Sequence, residues 1–390
     1  MHVIFLPSWY PRTPSDVSGV FFRDQALALL NCGHKVGVIS PQMKSLRALV
    51  GLPQKAGFPY FENDAGMPTY RKEVLAALPR MPYGNYWLFT RVAHKLMADY
   101  VREHGKPDII HAHSAILGGA AAVKLGQEWN IPVVLTEHSS AFARNIYMRW
   151  QLRLASDAAK AASSCIAVSP ALGDLLGKEL AASDVAWKWI PNVVADRFGK
   201  PDCSDLVDRP VRYLSLALMT ENKGQKDLLR AFQQAVGKGV VEGELWLAGN
   251  GPIRSELEQL ANELGIADRV RFPGLIPPSE VPALLKEVDV MVISSHYETF
   301  GVAAAEALMA GLPVIATRCG GPECIVTEGD GLLVPTKQPA ALAEAMVQVS
   351  RNINSYDPEE IASRARDRFS GKAVAEQLTK VYNEVLKAGT

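Results

Sequence analysis

Short apolar runs alternate with helix-forming stretches along the whole chain, and that alternation leaves few architectures open. Val3–Leu6, Lys35–Ile39, Asp108–His111, Val133–Thr136 and Cys165–Val168 have the near-continuous apolar character of strands buried on both faces of a parallel sheet. Helical spacing runs between them, near Val20–Leu30, Trp87–Glu103, Gly119–Glu128 and Arg149–Ala162. A stretch from about Ile190 to Pro210, with Pro191, Asn192 and Pro201, reads as a linker. The alternation then restarts. Strands are predicted at Val211–Leu218, Leu245–Ala248, Val270–Phe272, Val288–Ile293, Val314–Thr317 and Leu332–Val334. Helices are predicted at Gln225–Val236, Ile253–Leu264, Ser279–Leu285, Val302–Met309, Ala340–Val349, Glu359–Arg366 and Ala373–Leu386. The expected fold is α/β: two doubly wound, Rossmann-like parallel-sheet domains facing a cleft, residues 1–190 and 191–371, with ligands outside the carboxyl ends of the strands. The 390 residues suffice for each domain to bury its own core.

Several function classes are argued against by what the strand–helix junctions lack. The first strand leads into Pro7-Ser8-Trp9-Tyr10-Pro11, not a Gly-x-Gly-x-x-Gly turn, and Gly249-Asn250-Gly251-Pro252 carries only half of that fingerprint. No P-loop, His-Glu-x-x-His or Asp-x-Asp pattern occurs, so hydride transfer, P-loop hydrolysis and metal-assisted chemistry are not expected. No apolar run reaches the roughly 20 residues of a membrane-spanning helix. The start, Met1 to Pro7, has no basic leader before its proline. Five cysteines without a Cys-x-x-Cys pair fit a reduced, cytoplasmic protein. The net charge is zero, and no nucleic-acid partner is expected. The charge is unevenly divided, however: residues 1–190 carry 20 Lys and Arg against 14 Asp and Glu. A basic first half suits an anionic membrane surface or a phosphorylated acceptor.

The most informative local feature is a strand, a short polar turn and a helix: Asp289–Ile293, Ser294–Phe300, then a helix from near Gly301. The helix start offers free backbone N–H groups and the positive end of its dipole, a ready anion site. Glu298 precedes the helix and Glu306 lies inside it, so at 1.5 Å rise per residue their carboxylates can lie roughly 10 Å apart. One acid can address each end of a ligand whose middle is phosphate, and a nucleotide-sugar has that shape.

The run Glu298-Thr299-Phe300-Gly301…Glu306-Ala307…Gly311-Leu312-Pro313-Val314-Ile315-Ala316…Gly320-Gly321-Pro322-Glu323 resembles the signature of family 4 retaining glycosyltransferases with the GT-B fold. Asn222-Lys223-Gly224, Leu247-Ala248-Gly249-Asn250-Gly251-Pro252, Val270-Arg271-Phe272-Pro273-Gly274 and Ile190-Pro191-Asn192 extend the resemblance almost end to end. It implies that residues 191–371 bind the nucleotide-sugar donor, a UDP-sugar or GDP-sugar. Residues 1–190, joined by a returning C-terminal helix over 372–390, would bind the acceptor. Glu298 would accept hydrogen bonds from the donor sugar, and Glu306 from both ribose hydroxyls. The amides of Gly301 and Val302 would hold the diphosphate, with Lys223 adding positive charge. Backbone groups of Leu275 and Ile276 would hold the base. Phe300 and Asn250, inside the matching motifs, join the donor-binding set. Gly19 looks like the family's first glycine loop, where a side chain would block the diphosphate's approach.

One departure stands out. The family usually carries an arginine a few residues before the lysine, but Ser215–Asn222 contains no cation. Arg12, Arg23 or Arg144 could reach across the cleft in its place. In the first domain, His111, His113 and His138 end predicted strands. His138 and His113 are the candidates for the reacting centre, as neutral or charged imidazole, and His111 is expected to be structural. The resemblance implies front-face transfer with retention and no protein nucleophile. No cofactor or essential metal is expected. The acceptor is expected to be a glycan or lipid-linked glycan of exopolysaccharide, O-chain or cell-wall assembly. The aromatic and basic segment Leu78–Arg91 could touch the inner face of the cell membrane, and Trp9, Tyr10, Tyr147 and Trp150 could stack on sugars. A nucleotide-sugar epimerase or hydrolase, or a non-catalytic sugar-nucleotide-binding subunit, are the alternatives on this scaffold.

Overall fold

The computed structural model describes residues 1–12, 16, 19–44, 59–76, 78, 81–182, 184–198, 210–237 and 243–389. Much of the expected linker, including Pro201, lies outside the described residues, as do Cys203, Val17, Ser18, Pro79 and Arg80. The chain forms two compact units, Met1–Val193 with Gly371–Thr390, and Val194–Ser370.

The first unit runs β1 (His2–Pro7), α1 (Val20–Asn31), β2 (Lys35–Lys44), β3 (Pro59–Asp64), β4 (Met67–Leu75), α2 (Gly84–His104), β5 (Ile109–His113) and α3 (Ala120–Trp129). It continues through β6 (Val133–Glu137), α4 (Arg149–Ala161), β7 (Ser164–Ala167), α5 (Pro170–Glu179) and β8 (Trp187–Trp189). The sheet order is β3-β4-β2-β1-β5-β6-β7-β8. Every pairing is parallel except β3 with β4, a hairpin closed at Ala65-Gly66, both at positive φ. This antiparallel edge departs from the all-parallel expectation. Its local cause is the two-residue turn, whose Gly66 N–H donates to Asn63 Oδ1 at 2.7 Å. Helix α5 and strand β8 were also not expected. Helix α5 carries its own start signal, Ser169 Oγ accepting the Leu172 N–H at 3.2 Å ahead of Pro170.

The second unit runs β9 (Arg212–Leu216), α6 (Gln225–Gly237), β10 (Glu244–Ala248), α7 (Arg254–Glu263), β11 (Val270–Gly274) and α8 (Val281–Lys286). Then follow β12 (Val290–Ile293), α9 (Val302–Met309), β13 (Val314–Thr317), β14 (Gly331–Val334), α10 (Pro339–Arg351) and α11 (Pro358–Phe369). Its all-parallel sheet has the order β11-β10-β9-β12-β13-β14. Tyr213, Leu245, Val290 and Ile315 from the strands pack against Leu228, Phe232 and Met346 from the helices.

The last helix, α12 (Gly371–Ala388), returns to the first unit. Its Val374, Leu378, Val381, Tyr382 and Val385 recur at helical spacing and join Phe5, Phe22 and Leu29 in that unit's core. No helix among the described residues is long and apolar enough to cross a membrane.

Candidate active site

In a doubly wound sheet the chain moves outward from one central strand, then returns to build on its other side. The two loops leaving the neighbours at that reversal diverge and open a crevice. In the second unit the reversal lies between β9 and β12. Lys223 sits in the loop after β9 and Glu298 in the loop after β12, and the structure brings them together. Lys223 Nζ lies 2.6 Å from Glu298 Oε1, which also accepts the Ser295 hydroxyl at 2.7 Å.

The two loops are stitched along their length. The Asn222 side chain donates to Tyr297 O at 3.0 Å, the His296 N–H to Asn222 O at 2.8 Å, and Ser294 Oγ to Lys223 O at 2.8 Å. Gly224, at φ 64, makes this closeness possible, since a Cβ there would stand 2.1 Å from Ser294 O. Glu298 is pinned from the other side as well: its N–H donates to Cys319 O and its carbonyl accepts the Gly321 N–H.

Helix α9 starts beside this pair. Gly301 at its N-cap has φ 102 and no side chain caps the helix, so the first amides, Val302's among them, are left for a ligand. Glu306 lies one turn further on. Its Oε1 accepts from Arg197 at 2.7 Å, a partner that the sequence reading did not anticipate. Phe300 lies just before this helix start. Its side chain is 1% exposed and packs edge-on against Phe369, so only its backbone can serve a ligand.

Leu275, exposed, and Ile276 follow β11, whose Gly274 O accepts the Gly249 N–H at 2.7 Å. Asn250 sits in the neighbouring loop, its carbonyl accepting the Met219 N–H at 2.9 Å and its side chain accepting the Gly251 N–H at 2.8 Å. Arg254 lies at this same edge, its Nη2 3.4 Å from Phe272 O and its Nε bonded to Glu258.

In the first unit the reversal falls between β1 and β5. The Ser8 N–H donates to His113 O at 3.0 Å and Ser8 Oγ accepts the Gly118 N–H at 2.8 Å, which joins the loops after the two strands. Gly19, at φ 80, caps α1 without a side chain, and a Cβ there would meet the Trp9 ring at 2.9 Å. Glu137, buried, accepts from the amides of Ala115, His138 and Ser139, each at 2.7 Å, and so organises the ends of β5 and β6. Burial raises its pKa against those three bonds.

The histidines form a buried relay. His138 Nδ1 lies 3.0 Å from Asn192 Oδ1 and its Nε2 lies 3.1 Å from His113 Nδ1. With the amide oxygen toward it, His138 carries its proton on Nδ1 and accepts at Nε2. His113 then donates from Nδ1 and keeps a bare Nε2, which is buried without a partner. Burial lowers the His138 pKa to about 3, and burial with two neighbouring imidazoles lowers that of His113 well below its usual value. Of the neutral and charged imidazole that the sequence left open, burial favours the neutral form. His111 is structural as expected, held between Thr136 Oγ1 at 2.7 Å and the Tyr382 hydroxyl of α12 at 2.6 Å.

Beside this relay is a cavity of about 280 Å³, walled by Trp9, Tyr86, Tyr147 and Trp150. Ser114 lines it at φ 69, a strained conformation for a residue with a side chain, and its buried hydroxyl has no partner. Tyr10 is instead core, 4% exposed, with its hydroxyl 3.2 Å from Asp64. Arg23, one of the expected replacements for the absent arginine, is committed to Asp64 through contacts of 2.7 to 3.0 Å. The Arg12 N–H donates to Asp16 at 2.8 Å, and Arg144 lies in the turn that follows β6.

Two Rossmann-like units, each with polar groups gathered at the reversal of its strand order, define a two-domain α/β class. Family models place the chain within it. "Glycosyl transferases group 1" matches residues 204–368 and "Glycosyltransferase Family 4" matches residues 18–197. The chain belongs to the family 4 type of GT-B glycosyltransferases. It is 29% identical to the D-inositol 3-phosphate glycosyltransferase of Corynebacterium urealyticum, over 73% of this chain and 74% of that protein. It is 26% identical to the putative teichuronic acid biosynthesis glycosyltransferase TuaC of Bacillus subtilis, over 99% of both chains. Among solved structures, Anabaena HepE in complex with UDP superposes with a TM-score of 0.71 at 18% identity, covering 98% of this chain and 100% of that one.

Proposed function

We propose that the chain transfers a sugar from a nucleoside-diphosphate sugar to a hydroxyl of a glycan or lipid-linked glycan, retaining the anomeric configuration and without an essential metal. The observation that carries this reading is the Lys223–Glu298 pair at the β9/β12 reversal, next to the uncapped start of α9. A cation, open helix amides and a carboxylate in one crevice suit a ligand with an anionic middle and a hydroxylated end. HepE, bound to UDP, and TuaC, named as a putative teichuronic acid biosynthesis glycosyltransferase, support the same reading.

In the proposed step the bond from the anomeric carbon to the diphosphate oxygen breaks and the acceptor oxygen bonds to that carbon on the same face. The departing phosphate oxygen takes the acceptor proton. Lys223 and the amides of Gly301 and Val302 stabilise the charge that develops on the diphosphate. Glu298 positions the sugar, Glu306 the ribose, and the backbone of Leu275 and Ile276 with the Asn250 loop the base. Neutral His113 and His138 face the acceptor side. The expected place of action is the cytoplasm, at the inner membrane face where the acceptor is lipid-linked.

Glu298→Gln keeps the side chain's shape but gives up the ion pair. Transfer should fall by about 100-fold or more, with an unchanged circular dichroism spectrum. Turnover equal to that of the parent would remove Glu298 from the mechanism. Incubation with donor alone separates the alternatives, because an epimerase converts it and a transferase leaves most of it intact.

A further inference from the structure

The first unit holds a second and larger cavity, of about 580 Å³, between the ends of β2 and β4 and the first half of α2. That volume lies within the roughly 300–1,000 Å³ of small-ligand sites. Lys44, Lys72, Glu73, Trp87, Arg91 and Lys95 line it together with aliphatic side chains. Lys44 and Glu73 form a buried ion pair at 2.6 Å, their side chains 6% and 9% exposed. Glu73 uses one oxygen for that pair, and its Oε2 is buried with no hydrogen-bond partner.

Around this pair stand three cations. Among the described residues no carboxylate pairs with Lys72, Arg91 or Lys95 within ion-pair distance. Trp87 is 54% exposed, with the Arg91 guanidinium 5.4 Å from its ring centre. An adjoining cavity of about 350 Å³, lined by Arg91 and Lys95 of α2, adds Lys124 of α3.

Each feature sets a demand on the occupant. Unpaired cations call for an anion. The spare carboxylate oxygen calls for a hydroxyl donor and repels a bare anion placed against it. An exposed indole beside aliphatic walls calls for a flat C–H face. We infer that this cavity binds an acidic saccharide unit, a sugar ring bearing a carboxylate or phosphate, with its hydroxyl on Glu73, its ring against Trp87 and its charge toward Arg91 and Lys95.

Helix α2 contributes to both cavities: Asn85 and Tyr86 line the smaller aromatic one, and Trp87 and Arg91 line this one. We assign the acidic unit to an acceptor glycan whose reacting end would lie in the smaller cavity. Only that role as acceptor rests on the sugar-transfer reading; the binding itself does not.

The test is calorimetric titration of the full chain, without donor, with a glucuronate-containing disaccharide and with its uncharged glucose counterpart. The acidic disaccharide should bind about tenfold more tightly, and Arg91→Gln with Lys95→Gln, both exposed positions, should remove that advantage. UDP or GDP binding should be the same in the double variant as in the parent. Equal binding of the two disaccharides, no saturable binding at millimolar concentration, or full binding by the double variant would overturn the assignment. So would sedimentation with phosphatidylglycerol vesicles that the double variant loses while the disaccharide has no effect, which would make the face a lipid contact. If the parent binds the acidic disaccharide but no nucleoside diphosphate, the cavity stands and the sugar-transfer reading falls.

Discussion

Gly224 shows how one residue without a side chain sets the geometry of the crevice. Its φ of 64 is one that residues with a Cβ rarely adopt, and its Cα lies against the carbonyl of Ser294 at the end of β12. Gly224→Ala adds backbone strain to a direct overlap and should cost about 1–3 kcal/mol. The relief available is to part the loops that hold Lys223 against Glu298. Activity should therefore fall further than the melting midpoint suggests, measured as residual turnover at a temperature where the variant remains folded. Residue identities at this site were legible beforehand, because Glu298, Gly301, Glu306 and Lys223 stand at strand ends and a helix start. Their partners were not. Lys223 and Glu298 are 75 positions apart, and Arg197 and Glu306 are 109 apart. Nothing local to any of them encodes the other.

At the scale of elements, α12 is the clearest case of a segment whose place is set by packing. Its periodic apolar stripe was visible in the chain, and an amphipathic helix must bury such a stripe somewhere. Leu378, fully buried among residues of β1 and α1, is one of its anchors. Leu378→Ala should destabilise the first unit by about 2–5 kcal/mol, the spread reflecting how far the cavity can collapse. Denaturant unfolding followed by far-ultraviolet circular dichroism would check this, and a loss below 1 kcal/mol would contradict the packing. The elements that escaped the sequence reading share a cause. Strand β8 spans only Trp187–Trp189, too short for a periodic signal, and α5 begins directly after β7 with two small residues between them. The β3–β4 hairpin interrupts a parallel pattern, and only its Asn63–Gly66 turn announced it.

At the scale of the whole molecule, the buried imidazoles link stability to pH. His111 and His138 have folded-state pKa values lowered to about 3 from 6.5, and that of His113 is lowered too, all chiefly by burial. Between the folded and unfolded values the unfolded chain binds more protons, so the stabilisation is complete above about pH 6.5 and is lost as pH falls toward 3. The melting midpoint should drop from about pH 7.5 to about pH 5, and His111→Gln should show a shallower drop because one titrating group is gone. A parent midpoint that holds level across that interval would refute the buried neutral relay. What the amino-acid sequence determined by itself was most of the order of strands and helices, the two-unit α/β plan and the residue types at the strand ends, because alternation, helical spacing and turn chemistry act over a few residues. The tertiary structure alone decided which strand neighbours which, and with it the Lys223–Glu298 and Arg197–Glu306 pairs, the His113–His138–Asn192 contacts and the burial of Phe300. Those follow from strand order and desolvation, which join residues through space at separations that no short-range pattern records.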